Sequence, residues 1–447
     1  MASFTSIKYY SLTLFFFTII TLGQLNAQTI PAPICGYKMM MDQMESKFPG
    51  YKAAEQRSFE YAQSNPAFER NGEVYRIPVV FHVIYNNDKQ NIPDEYILDQ
   101  LDILNHAFRN THNDVGQTRP VFQPLAGDAE IEFYLAPKDP EGNPTSGITR
   151  TKTDIEYFGD FSVILGGFDV ESFERIKYTD KGGYDGWPSN RYLNIWIADE
   201  GFDFFGIYIP AVLGLATPPT FPQLPDNWPE GAVDGIKDGV FLQYQTIGAN
   251  NPYKDDLMGL VSQGRTAVHE IGHYLGLRHI DGDEGCGTDG IDDTPVMDLS
   301  TQAADCPATD VNTCEVNEPN DMPDMWENYM EYSNDICQTL FTKGQVSHMR
   351  KVLSIQRDTL INGALSVNKE VRYKLSINPN PAMNEILINN IPEGGQLSIF
   401  DIFGNRVMNI EILRTNRLDI SNLSQGIYNV RYVDGIKTWE SKLIVVK

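Results

Sequence analysis

The segment HEIGHYLGLRH, His269 to His279, holds three of the chain's seven histidines, together with Glu270 and the glycines Gly272 and Gly276. Apolar residues at helical spacing run through LMGLVSQGRTAV (Leu257 to Val268) into HEIGHYL, which predicts a helix ending near Leu275. Residues four apart share a helix face, so His269 and His273 can offer two imidazole nitrogens to one metal ion. Gly276 permits a left-handed turn that stops the helix, and the returning chain presents His279 as a third ligand. Zinc suits such a set because a catalytic site keeps one position open for water. Glu270 stands beside the ligand face, where it can take a proton from that water as general base. The bland alternative is a helix whose histidines are satisfied by core hydrogen bonds. Two histidines and a glutamate on one buried stripe are costly without a ligand, which disfavours it.

At 447 residues there is room for two or three domains. A net charge of −25 argues against nucleic acid as a partner, since phosphate binding needs basic patches. The acidity serves solubility and also suits calcium. The first 27 residues read as a secretory signal: Lys8, then the apolar run Ser11 to Leu22, then LNA ending at Ala27. The run is short for a bilayer span, so an uncleaved anchor is the lesser reading. No other long apolar run exists, so no transmembrane segment is expected in the mature form, which should be secreted or attached to the cell surface.

Five cysteines are present, and Cys286, Cys306, Cys314 and Cys337 follow closely on the histidine motif. In an exported protein four clustered cysteines suggest two disulfides, with three possible pairings. A structural zinc is the alternative, without C-x-x-C spacing to support it. Cys35 is left over.

The first strong strand is VYRIPVVFHVIYN (Val74 to Asn86). PDEYILDQLDILNHAFRN is an amphipathic helix, and AEIEFYLA, RYLNIWIA and DGVFLQY are further strands. GLATPPTFPQLPDNWPEG reads as a surface loop. TKGQVSHMRKVLSIQRDTL (Thr342 to Leu360) reads as one closing helix, with His348 structural or exposed. This is an α+β domain of two lobes, the second smaller and stapled by cysteines. From Tyr373 the chain turns to short alternating strands with Gly, Asn and Pro turns, the pattern of a small all-β sandwich.

The motif, followed by NYMEYS (Asn328 to Ser333), resembles the metzincin metalloproteases, in which a methionine in a tight turn underlies the zinc; Met330 matches it. DDTP (Asp292 to Pro295), the four cysteines and FTKGQ (Phe341 to Gln345) resemble the pappalysin branch. SINPNPAMNEILI and the ending KLIVVK resemble sorting domains of the bacterial type IX secretion route. These resemblances imply a signal peptide (1–27), a prosegment (28–75), a metzincin catalytic domain (76–362) and a sorting domain (373–447) that engages the secretion machinery for export through the periplasm. They also imply the pairs Cys286–Cys314 and Cys306–Cys337.

In relatives a prosegment cysteine blocks the zinc, and Cys35 in PICGY sits where that residue would be. A thiolate is a soft ligand able to fill the open position; an intermolecular disulfide or a lipid attachment is the alternative. Tyr332 is placed as in metzincins that stabilise the oxyanion with a tyrosine, or else is a packed aromatic. GTDGIDDTP offers hard oxygens to calcium at Asp289, Asp292, Asp293 and Thr294; the resemblance favours Asp289 and Thr294 with a carbonyl between them. Asp335 or Ile336 could face the substrate side-chain pocket. Arg70 and Arg76 are candidate sites for prosegment removal. The expected function is a secreted, latent zinc endopeptidase acting on proteins or peptides, against a zincin-fold adhesin or a non-peptide zinc hydrolase.

Overall fold

A computed structural model describes residues 34–64, 73–159, 169–219, 228–229, 231–232, 236–257, 261, 263–298, 306–307, 311–314, 321–362, 372–389, 395–401, 406–410, 416–433 and 438–447. The expected signal peptide and Arg70 lie outside them. Residues 1–364 and 365–447 form two compact units, so the expected prosegment shares a unit with the body that follows it.

In the first unit the spine is β2 (Tyr75–Tyr85), whose residues are buried on both faces except near its ends. A strand covered on both sides reads as a continuous apolar run, as YRIPVVFHVIY does. It pairs in parallel with β3 (Ile131–Leu135) over its first half and β4 (Ile148–Lys152) over its second. Across its middle it pairs in parallel with β5 (Leu193–Ala198), which passes the sheet on to β9 (Val240–Gln243). β8 (Val212–Ala216) lies antiparallel to β9 and takes β1 (Ile34–Cys35) in parallel on its other side. The strands β6 (Gly201–Phe204) and β7 (Ile207–Pro210) form a separate hairpin. The residues Gly214 to Ala216, expected to open a surface loop, are therefore part of a paired strand. Much of the rest of that loop lies outside the described residues.

Two helices, α1 (Tyr37–Lys47) and α2 (Tyr51–Ser64), follow β1. Tyr37, Met40, Met41 and Met44 of α1 join a core cluster with Trp196, Val212 and Phe241. Helix α3 (Asp94–Phe108) buries Ile97, Leu104 and Phe108 on the sheet, and α4 (Val170–Glu174) is a short turn of helix. Helix α5 (Thr266–Tyr274) carries the histidine motif and packs on α3, β8 and β9. It does not reach back to Leu257 as the periodicity predicts. Gly264, at φ +68°, holds left-handed backbone that a right-handed helix cannot continue through, and Pro252–Leu257 is a 3₁₀ turn.

The expected closing helix is two: α6 (Lys343–Ile355), begun by a capping box between Thr342 and Gln345, and α7 (Asp358–Asn362). Between them Arg357 is buried and donates to the carbonyls of Tyr274 and Thr217 and to both oxygens of Asp238. Satisfying that buried guanidinium fixes where the helix stops.

In the second unit, a five-stranded sheet joins β10 (Arg372–Lys374), β17 (Thr438–Val445), β16 (Gly426–Val433), β13 (Gln396–Phe400) and β14 (Arg406–Ile410). A three-stranded sheet joins β11 (Ser376–Asn378), β12 (Glu385–Asn389) and β15 (Arg417–Asp419). Alternate residues of both, among them Ile386, Ile388 and Leu418 against Leu397, Ile399 and Val430, form one core. This is an all-β sandwich.

Candidate metal centre

His269 and His273 leave α5 on one face, and the turn after the helix brings His279 to them. The Nε2 atoms of the three rings lie 3.1–3.2 Å apart. On the opposite edge of each ring, Nδ1 donates to an acceptor: Tyr329 O at 2.7 Å for His269, Leu277 O at 2.8 Å for His273, and Asp283 Oδ1 at 2.7 Å for His279. A carbonyl or a carboxylate can only accept, so the proton of each ring sits on Nδ1 and three lone pairs converge. Burial holds His269 down at about 3 and His273 well below the usual imidazole range, so these two rings stay neutral. Cys35 Sγ completes a buried set of four donors, all within 4.8 Å of one another.

Glu270 is fully buried next to this set, and its carboxylate faces the Cys35 thiol with no other hydrogen-bond donor on either oxygen. Burial pushes it up to about 8. Burial also pushes the Cys35 thiol up, and the neighbouring Glu270 adds to this. Converging lone pairs and two adjacent acids are unfavourable as an isolated cluster and favourable around a cation. Three imidazoles and one thiolate form a four-coordinate donor set of the kind zinc prefers.

Small residues let the parts close. Gly276, at φ +88°, ends the helix, and Leu277 N–H bonds Gly272 O at 2.9 Å. A Cβ on Gly272 would stand 2.4 Å from Met330 Sδ, so the buried methionine packs directly under the ligand helix. Tyr332 lies beside His279, ring centroids 4.4 Å apart, with its hydroxyl 3.4 Å from Nδ1. His348 is buried rather than exposed, stacked on Phe59 of α2 at 4.3 Å.

The disulfides are Cys286–Cys314 and Cys306–Cys337, and Cys35 is free and buried. β1 carries Cys35 along β8, opposite Gly214. A Cβ on Gly214 would meet Glu270 Cγ at 2.5 Å, so glycine is what allows strand and carboxylate to approach. Tyr37, two residues after Cys35, stacks on His273 at 4.1 Å with the rings parallel. Further along, Glu55 of α2 accepts two hydrogen bonds from Arg278, whose guanidinium lies 4.2 Å over Phe59. Asp283, Gly214 and Tyr37 carry no role at the site in the sequence analysis. None belongs to the spacing motif, and only the position of Tyr37 beside Cys35 offered a signal.

The acidic loop divides its carboxylates. Buried Asp289 accepts from Thr294 Oγ1 at 2.7 Å and Ile291 N at 3.0 Å, while its Oδ2 has no partner. Burial pushes it up to about 7. Asp293 instead accepts from Thr342 Oγ1 and Gly344 N at the start of α6. Asp335 is buried with Oδ2 accepting from Gln263 N at 2.7 Å, whereas Ile336 lines a cavity of 490 Å³ together with Tyr329, Arg265 and Asp114.

Residues 247–354 match the family described as Pregnancy-associated plasma protein-A, and residues 376–446 match the Secretion system C-terminal sorting domain. An extracellular metalloprotease of Arthroderma gypseum is 32% identical over 278 residues, which cover 61% of this chain and 71% of that protein. The chain belongs to the pregnancy-associated plasma protein-A family, the pappalysins. An extracellular metalloprotease of Verticillium alfalfae is 36% identical over 150 residues, 33% of this chain and 47% of that one. Among solved structures, a promirolysin mutant of Tannerella forsythia is 35% identical with a TM-score of 0.59, covering 75% of this chain and 99% of that one. Mature mirolysin of Tannerella forsythia in complex with a cleaved peptide is 36% identical with a TM-score of 0.53, covering 67% and 100%. This pappalysin is thus a metzincin-fold zinc metalloendopeptidase with a type IX sorting domain, of the secreted or cell-surface kind. No helix among the described residues is long and apolar enough to cross a membrane.

Proposed function

We propose that the protein is a zinc endopeptidase held latent by its own N-terminal segment, with residues 28–75 as prosegment, 76–362 as catalytic domain and 373–447 as sorting domain. The observation that carries the reading is the convergence of three Nε2 lone pairs and the Cys35 thiol beside a buried Glu270. His269, His273 and His279 hold zinc. When bound there, zinc would supply Lewis acidity toward the scissile carbonyl and toward the attacking water. Glu270 accepts the proton of that water and passes it to the leaving amine. Tyr332, beside His279, is within the same cluster and donates its hydroxyl to the carbonyl oxygen as charge develops there. Met330 and Gly276 hold the ligand helix and the third ligand in register.

Latency follows from Cys35 occupying the place that water needs. The alignment share supports a prosegment: it rises from 67% of this chain against mature mirolysin to 75% against promirolysin. After export through the periplasm, protein or peptide substrates would replace the segment on β8. The test is digestion of an unfolded protein by the processed enzyme with and without a zinc chelator. Cleavage is expected to stop with chelator and return on adding zinc; cleavage that ignores the chelator would overturn the reading.

Asp289, Thr294 and the Ile291 carbonyl form a second proposed site, for calcium. Its support is the orphaned Asp289 oxygen next to two further hard oxygens. Calcium added to metal-stripped protein should raise the melting temperature, and an Asp289→Asn variant should lose that response. An unchanged melt in the parent protein would count against the site.

A further inference from the structure

Two of the three imidazoles are held by main-chain carbonyls, Tyr329 O and Leu277 O, which come with the turns that carry them. The third is held by a side chain. His279 lies beyond the helix on the returning chain, and its Nδ1 donates to Asp283 Oδ1 at 2.7 Å. We infer that Asp283 is a positioning residue for the metal centre, which orients His279 through Nδ1 and strengthens Nε2 as a donor. The inference rests on the zinc reading above.

The loop is built to deliver that carboxylate. Gly282 N–H bonds His279 O at 2.9 Å, and Gly282 has φ +62° with Thr288 O 2.4 Å from where a Cβ would be. Asp283 itself sits at φ +64°, left-handed backbone that aspartate tolerates better than most residues with a side chain. Its N–H is held by Asp281 Oδ1 at 2.8 Å, and Cys286 ties the loop to Cys314. The acceptor is charged, so the bond is stronger than those of the other two rings, and negative charge behind an imidazole raises its basicity at the far nitrogen. The Tyr332 hydroxyl, at 3.4 Å from the same Nδ1, is a longer and weaker contact. Lys38 and Asp42 of the prosegment, bonded to each other at 2.9 Å, both act on the Asp283 charge, whereas His279 and Asp283 themselves lie in the part that remains after processing.

The experiment compares the zinc-loaded full chain with Asp283→Ala, Asp283→Asn and His279→Ala. Zinc affinity is read by competition with a fluorescent chelator, and the acid limb of the peptide-cleavage pH profile is read after processing. Asp283→Ala should weaken zinc by about 10- to 100-fold. Asp283→Asn retains an acceptor without the charge, so it should weaken zinc less and shift the acid limb to lower pH. Asp283→Ala with parental zinc affinity would overturn the inference. So would equal losses in Asn and Ala with an unmoved pH limb, which would mean simple loop packing. If Asp283→Ala does not fold, the Asn variant decides through the same two readouts. A parent protein that holds no zinc, or a His279→Ala protein that holds it undiminished, would instead overturn the zinc reading, and this inference with it.

Discussion

Replacing Glu270 with glutamine should leave zinc bound and the fold intact while lowering the cleavage rate by about 100- to 10,000-fold, the range by which a positioned proton acceptor speeds such a step. The amide has nearly the shape of the carboxylate. The carboxylate is fully buried and burial pushes Glu270 up, so a neutral side chain of the same size fits its place without a new steric or desolvation cost. The proposed zinc ligands are elsewhere, on His269, His273 and His279. The loss should therefore fall on kcat, with metal content and melting temperature close to the parent. Both proteins should be processed by an added protease before assay, because a variant that cannot cleave cannot process itself. A Glu270→Gln enzyme that cleaved at near the parental rate would remove Glu270 from the chemistry.

Cys35→Ala should make the full-length chain active or self-processing. Beyond the thiol, the N-terminal segment is held by a two-residue parallel pairing with β8, the buried methionines of α1, the Tyr37 stack on His273 and the α2 contacts at Arg278 and His348. Those contacts survive the substitution; the ligand that fills the water position does not. That ligand contact is made only in the closed precursor, so losing it should raise the population of opened chains. In the parent precursor the thiol should resist a thiol reagent until the segment is cut or the zinc is removed. A Cys35→Ala precursor as silent as the parent, with its segment still attached, would place latency in the helices rather than in the thiol.

Much of this was legible in the sequence because spacing along a helix is geometry. His269 and His273 share a face at any helix position, and Gly276 marks the place where the chain must turn for His279 to return. The strand β2, the helix α3 and the alternating strands of the second unit follow from local periodicity in the same way. What stayed hidden depends on residues far apart in the chain. The ligand helix starts at Thr266, because the left-handed Gly264 interrupts a pattern that apolar spacing alone would extend. The closing helix breaks where Arg357 finds Asp238, a partner that no window of sequence contains. Gly214 looks like a loop glycine until β8 is seen beside Glu270. In the acidic loop, like side chains divide by what surrounds them: Asp289 faces inward with Thr294, while Asp293 holds the first turn of α6. The sequence by itself determined the three histidines, because ligand type and helical period are local properties; Cys35 was reached only through resemblance. Only the tertiary structure decided which acceptor holds each imidazole and how closely the N-terminal segment sits over the centre, because hydrogen bonds and close packing form between elements that the chain brings together only on folding.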